Sequence, residues 1–297
     1  MRHRGATFIA TLVVLASCAS GHRDPFTGVE PLVRDPAALE ARLRRAVSMT
    51  RRFEMLAIGS IEYDSRAYPV WCLSTRAGEK ARFRVLVNGG VHGNEPAGAE
   101  AAVLLIERLA RDPKLYRDIA FSVIPIVNPW GWSRDVRHNR MGRDINRDFA
   151  SFKCRESRLI RDFIAGKRYD LIIDHHEDPD GKGFYMYQYG NPDASLSRMI
   201  IHTLRRQGHP IEQDIHMVIL RTRDGLIDAP MWGLWYMRLT RQLSITNYFR
   251  FFASTRVYTL ETPVSLPFAE RIAMHDKSAH LLIRSLYGNE EKDRSAN

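Results

Sequence analysis

The chain has 297 residues, 44% hydrophobic and 26% charged, which suits a folded protein with a sizeable core and excludes disorder as its resting state. Its formal net charge of +10 comes mostly from arginine, but the basic residues (Arg42, Arg44, Arg45, Arg51, Arg52, Arg158, Arg161, Arg205, Arg206) are scattered, without a Lys/Arg run or a nucleic-acid-binding motif. The charge therefore reads as a solvated arginine-rich surface, and no nucleic-acid partner is expected.

At the start, Arg2, His3 and Arg4 precede an apolar stretch at residues 7–17 (TFIATLVVLAS). It is too short to cross a bilayer comfortably and fits the core of an export signal. Leu15-Ala16-Ser17-Cys18 resembles a bacterial lipobox, which implies cleavage before Cys18 and a lipid on its sulfur. Residues 1–17 are thus expected to be a signal peptide. Residues 18–36, rich in Gly, Pro, Asp and Arg, are expected to tether the lipidated Cys18 to a catalytic domain at 37–297. The expected location is the cell envelope, on the periplasmic side of the outer membrane in a Gram-negative cell. Cys72 and Cys154 could pair in such a compartment, and the sequence leaves that open.

Residues 37–56 show helical spacing of Ala, Leu, Val and Met, and 57–75 hold β-prone runs. An alternating order then begins. Strands are predicted at 82–88 (RFRVLVN), 119–127 (IAFSVIPIV), 169–174 (YDLIID) and 257–260. Helices are predicted at 96–111, opened by a proline, and at 155–164, 193–207 and 267–287. Apolar strands alternating with helices predict a single α/β/α sandwich domain around a mixed, mostly parallel sheet.

Four segments carry chemistry. In Asn88-Gly89-Gly90-Val91-His92-Gly93-Asn94-Glu95-Pro96, a buried strand runs into a Gly-rich turn that presents a His and a Glu three residues apart, ahead of a helix. An imidazole and a carboxylate there can share one zinc ion. In Asp174-His175-His176-Glu177-Asp178 a third ligand is on offer at a strand end. Side chains alternate along a strand, so Asp174 and His176 share a face and His175 takes the other; His176 is the choice, with His175 the alternative if the register slips by one. Two imidazoles and a carboxylate leave a coordination position open for water. The third segment, from Arg137 to Phe149, is crowded with guanidinium and amide groups that can clamp a carboxylate or stabilise an oxyanion. The fourth, Tyr258-Thr259-Leu260-Glu261-Thr262-Pro263, puts a carboxylate at the end of a β-prone run, where it could serve as a general base.

In this order the segments read H-x-x-E, N-P-x-G with R-x-N-x-x-G-x-D-x-N-R, D-x-H-E-D and T-x-E-T, over residues 83–263. Together they resemble the M14 (carboxypeptidase A-like) zinc metallopeptidases, in a short form near the succinylglutamate desuccinylase and murein peptide amidase branches. The resemblance implies one zinc ion on His92, Glu95 and His176. It implies Arg137 at the scissile carbonyl, Asn146 and Arg147 on a substrate carboxylate, and Glu261 as general base. The implied activity is a metallocarboxypeptidase-like cleavage of an amide bond near a carboxylate; cell-envelope peptides are the substrates expected from the location that the lipobox resemblance implies. An N-acyl amino-acid deacylase of the aspartoacylase type is the alternative, and a non-catalytic ligand-binding lipoprotein is a third reading. The family's upstream tyrosine has two candidates, Tyr236 and Tyr248, for both of which aromatic packing is the favoured role.

Overall fold

In the computed structural model, residues 34–76, 80–191, 193–213, 216–217 and 220–294 are described. The expected signal peptide, Cys18 and nearly all of the expected tether lie outside the described residues.

Helix α1 (Pro36–Ser48) is capped by Asp35, whose side chain accepts from the Ala37 N–H at 2.8 Å. The helix predicted to reach residue 56 gives way to β1 (Phe53–Tyr63), which pairs along its length with β2 (Arg66–Thr75). Asp64 and Ser65, at φ 51° and 59°, make the tight turn of this hairpin. Cross-strand pairing outweighs the helical spacing of residues 53–56, in which Phe53 is fully buried and Leu56 exposed.

The predicted alternation follows. Strand β3 (Phe83–Asn88) leads into α2 (Pro96–Arg111) and then β4 (Ile119–Ile124). β4 stops before Pro125, which has no N–H to give a ladder. Next come α3 (Pro129–Arg134), a 3-10 turn at Ile145–Arg147, α4 (Arg155–Ile164) and β5 (Leu171–Asp178). The middle of the chain adds β6 (Tyr185–Tyr189), α5 (Ser195–Arg206), the short ladder of β7 (His216–Met217) with β8 (Leu220–Arg221), and β9 (Leu226–Ala229). α6 (Met231–Leu239), α7 (Ile245–Phe252), β10 (Val257–Pro263) and α8 (Phe268–Arg294) finish it.

One mixed eight-stranded sheet results, in the order β1-β2-β4-β3-β5-β10-β6-β9. Its centre, β4-β3-β5-β10, is parallel, flanked by antiparallel neighbours. Alternation sorts the central side chains into two cores. Val85, Val87, Ile173 and Leu260 face one way, with α1, α2 and α8 packed over them; Leu86, Ile172 and Val257 face the other, with Ile160 of α4 and Phe249 of α7. This is the α/β/α sandwich expected. Val33–Asn297 is one compact unit containing both cores, which is what a domain needs to fold alone. Cys72 and Cys154 are buried free thiols, so the pairing left open by the sequence is absent.

Candidate active site

β5 runs to Asp178, four positions past its predicted end, because β10 keeps pairing with it from Val257↔Ile172 to Pro263↔Asp178. The cluster Asp174–Asp178 therefore lies inside a strand, and alternation governs its side chains. Asp174 and His176 project onto the α4/α7 side of the sheet. His175 projects onto the other, where its Nδ1 lies 3.1 Å from His275 Nδ1 of α8 and its backbone and Cβ press on Gly98 of α2. Burial pushes the His175 imidazole down to about 4, so it sits there as a neutral core residue.

His92 and Glu95 reach the same place from the turn between β3 and α2. That turn fits because glycines let backbones meet: a Cβ on Gly93 would lie 2.1 Å from the Gly131 carbonyl carbon, and one on Gly89 would lie 3.0 Å from the Gly98 oxygen. Gly90 takes φ +57°, and Glu95 forms the N-terminal boundary of α2 with Pro96 behind it. Asn128 of N-P-x-G caps α3 through the Gly131 N–H (2.9 Å) and donates to the carbonyls of Arg137 (3.3 Å) and His138 (3.2 Å), tying the Arg137 loop to that helix.

The ligand atoms of His92, Glu95 and His176 all lie within 4.8 Å of one another, and all three residues are buried. His92 Nδ1 is 2.5 Å from Glu95 Oε1, and His176 Nδ1 is 2.8 Å from Glu95 Oε2. Each ring's other nitrogen meets a carboxylate: His92 Nε2 lies 3.1 Å from Asp144 Oδ1, and His176 Nε2 lies 3.0 Å from Asp174 Oδ2. Both imidazoles thus turn Nδ1 inward and are held from behind, the arrangement by which carboxylates orient metal-binding histidines. The donor set agrees. Glu95, Asp144 and Asp174 surround the two rings, with Glu261 alongside and Arg137 on Glu95 and Asp144, a set of carboxylate and imidazole donors that suits a divalent cation. Burial disfavours a charged His176, but Asp174 and Glu95 override it and hold its pKa well above the ordinary value. The residues present fit a divalent metal ion, and two imidazoles with one carboxylate are donors suited to zinc.

Around this centre, Arg137 donates to Glu95 Oε1 (3.3 Å) and Asp144 Oδ2 (3.1 Å). Asp144 also caps the 3-10 turn by accepting from the Asn146 N–H at 2.9 Å, so one carboxylate links His92, Arg137 and Asn146. The Asn146 side-chain oxygen accepts from the Ile245 N–H at 2.9 Å. Arg147 is exposed and donates to the Asn146 carbonyl at 3.0 Å. Glu261 pairs across the ladder with His176 on one side and Tyr185 on the other. Burial drives its carboxyl pKa well above the usual range; Glu95, Asp178 and Asp174 add to this and His176 opposes it. All seven residues singled out in the sequence thus gather at one end of the central strands.

Asp144 and Asp174 went unassigned in the sequence although both stand inside its motifs; the signal available was a carboxylate two positions from His176 on the same strand face. Thr246 gave no sequence signal: its hydroxyl reaches Asp174 Oδ2 (2.7 Å) from α7, which only the fold brings near. Of the two tyrosine candidates, Tyr248 packs among Phe149, Phe152 and Phe252, as expected. Tyr236 does not: it is exposed on α6. Tyr185 is the cross-strand partner of Glu261, and its hydroxyl donates to Asp178 Oδ2 at 2.8 Å; Tyr187, two residues on, also faces the Glu261 charge.

Residues 81–217 match the model of the succinylglutamate desuccinylase/aspartoacylase catalytic domain. Carboxypeptidase 2 of Trichophyton rubrum is 28% identical over 155 residues, 49% of this chain and 29% of that protein; the chain spans under a third of this relative's length. A solved protein of Shewanella amazonensis SB2B superposes with a TM-score of 0.68 at 22% identity, covering 84% of this chain and 91% of its own. A metallo-carboxypeptidase of Burkholderia cenocepacia gives 0.60 at 19% identity, over 86% of this chain and 70% of its own.

Proposed function

We propose, from the premise that this chain belongs to an M14-like family near the succinylglutamate desuccinylase branch, that it is a zinc-dependent hydrolase of an amide bond close to a substrate carboxylate. The observation carrying the proposal is the buried trio His92, Glu95 and His176, with Asp144 and Asp174 behind the two rings and Glu261 alongside. When bound, zinc supplies Lewis-acid polarisation of the carbonyl and acidifies water. The remaining work falls to the chain. Glu261 takes a proton from the attacking water and delivers it to the leaving nitrogen. Its carboxyl must be ionised to do so, which the positive charge of an ion held by His92, Glu95 and His176 would favour against the burial that raises its pKa. Arg137, positioned by Glu95 and Asp144, donates to the oxygen that gains charge. Asn146 and Arg147 hold the substrate carboxylate and set which bond is presented.

Peptides are the first substrate class, by likeness to the carboxypeptidase relatives. N-acyl amino acids are a second reading, favoured by the family-model match, and both classes carry the carboxylate that Asn146 and Arg147 would bind. A mass-spectrometric screen of zinc-loaded protein against peptides, muropeptides and N-acyl amino acids, with Glu261→Gln as control, tests the proposal. Turnover that Glu261→Gln abolishes supports it; turnover unchanged in that variant rejects the mechanism. Cell-envelope placement through a lipid on Cys18 rests on the lipobox resemblance alone, and an unmodified Cys18 in the mature N-terminal peptide would refute it.

A further inference from the structure

Helix α6 turns its apolar stripe outward. Trp232, Trp235, Tyr236 and Leu239 recur at i, i+3, i+4 and i+7, the spacing of one helical face, yet they are 61%, 54%, 45% and 83% exposed. Leu234 is the helix's buried residue. The stripe continues onto the end of α7, where Phe251 meets Trp235 at 4.8 Å between ring centroids and Phe252 is partly exposed. Arg238 lies over Trp235, Phe251 and Phe252 at 5.2, 5.3 and 5.2 Å, so its stem covers the rings while its charge stays at the rim. Single exposed apolar residues are ordinary; a contiguous aromatic stripe marks an interaction surface.

The charge around the stripe identifies its partner. At the stripe stand Arg238 on α6 and Arg241 just after it; of the other two arginines between Asp228 and Glu261, Arg250 donates to the Tyr189 and Gly190 carbonyls and Arg256 to Ser285 of α8. Arg168 adds to the rim by donating to the Phe252 carbonyl. A second copy docking face to face would oppose two such arginine-rich surfaces, a like-charge arrangement that is costly. α6 itself carries Trp, Tyr and Leu beside arginine and no acidic residue, with Asp162 entering only near Tyr248 at the far end; that is the composition of a helix lying in the plane of a membrane interface, aromatic rings at headgroup level and guanidinium groups on phosphates. No helix among the described residues is long and apolar enough to cross a membrane, so contact here would be in-plane.

We propose that α6 and the end of α7 dock on a membrane surface bearing anionic lipids, with Trp232, Trp235, Tyr236 and Leu239 entering the headgroup layer and Arg238 and Arg241 meeting the phosphates. The proposal depends neither on the hydrolase reading nor on lipidation of Cys18. A lipid there would supply a second attachment, and two weak attachments make stable anchoring where one does not.

Vesicle co-sedimentation of residues 33–297, which excludes the apolar stretch and Cys18, tests it. The unaltered protein should bind phosphatidylglycerol/phosphatidylethanolamine vesicles, with a blue shift in tryptophan emission and weaker binding at high salt. Trp232→Ser/Trp235→Ser/Leu239→Ser should bind at least tenfold more weakly with unchanged circular dichroism. Arg238→Glu/Arg241→Glu should lose the salt-dependent part. Met49→Ser/Leu56→Ser, altering exposed apolar residues elsewhere, should bind like the unaltered protein. No binding by the unaltered protein, equal binding by the stripe variant, or a stripe-dependent dimer in sedimentation velocity without vesicle binding would each overturn it.

Discussion

Asp174 stands two positions before His176 on β5 and lies 3.0 Å from its Nε2, while His176 Nδ1 faces Glu95. The carboxylate is fully buried and also accepts from Asn88 Nδ2 (2.5 Å) and Thr246 Oγ1 (2.7 Å), so three elements fix the position from which it orients the ring. Asp174→Asn keeps the shape but can present an N–H to Nε2, favouring the wrong tautomer. Zinc affinity, measured by competition with a chromophoric chelator, should fall about 10–100-fold. Unchanged affinity would show that Asp174 does not orient His176.

Metal loading should also register as stability. A ligand that binds only the folded state at about 100 times its dissociation constant adds about 2.7 kcal/mol. For a domain of this size that is a rise in Tm of about 5–10 °C in a thermal melt, reversed by a chelator. His92→Ala should lose the zinc-dependent part; an undiminished shift in that variant would reject His92 as a ligand.

The two proposed catalytic groups should separate kinetically. Glu261→Gln should retain one zinc per chain and lose about 10²–10⁴ in kcat, because an amide cannot carry the proton. Arg137→Ala should cost about 3 kcal/mol, roughly 10²-fold in kcat, if its guanidinium acts mainly on the developing oxyanion. It should also loosen Asp144, to which Arg137 donates at 3.1 Å, so a modest fall in zinc affinity should accompany it.

Much of this site was legible because three of the four motifs end a central strand or lie within one; the Arg137–Phe149 segment reaches the site from the loop between α3 and α4. Asn88 and Asp174 are register partners on adjacent parallel strands, and Glu261 lies beside His176 on the next, so reading the strands already brought those three motifs together. What escaped the sequence was long-range or competed with local pattern. Residues 53–56 keep helical spacing yet pair with β2. The short apolar segments of β6, β9, α6 and α7 lie in the stretch with no alternation to follow, and so Tyr185 and Thr246, which reach the site from them, were missed. The exposure of the α6 stripe was equally hidden, since a spacing of i, i+3, i+4 and i+7 marks a face without saying what it faces.

A tight approach behind the site gives a steric test. A Cβ on Gly98 would lie 2.7 Å from His175 Cβ and 3.1 Å from the His175 carbonyl carbon, both in the strand that carries His176. Gly98→Ala must push α2 away from β5, and α2 begins directly after Glu95. Overpacking of this kind costs about 1–3 kcal/mol. Denaturant unfolding should show that loss, and zinc affinity should fall with it as Glu95 is displaced. Full stability in Gly98→Ala would mean the helix and strand can separate freely there.

The cysteines provide a last test, independent of catalysis. Cys72 is fully buried and Cys154 nearly so, and burial pushes both thiols up to about 12, Cys154 with help from neighbouring Asp148. Attack on a labelling reagent requires thiolate, which at pH 8 is then about 10⁻⁴ of either population even before access is considered. Residues 33–297 should therefore resist a thiol reagent under native conditions and take up two labels per chain on unfolding, Cys72 and Cys154 being that segment's two cysteines. A reductant should leave Tm unchanged, since no bond between them is present to break. A fall in Tm on reduction, or fewer than two labels on the unreduced unfolded chain, would show that Cys72 and Cys154 pair after all.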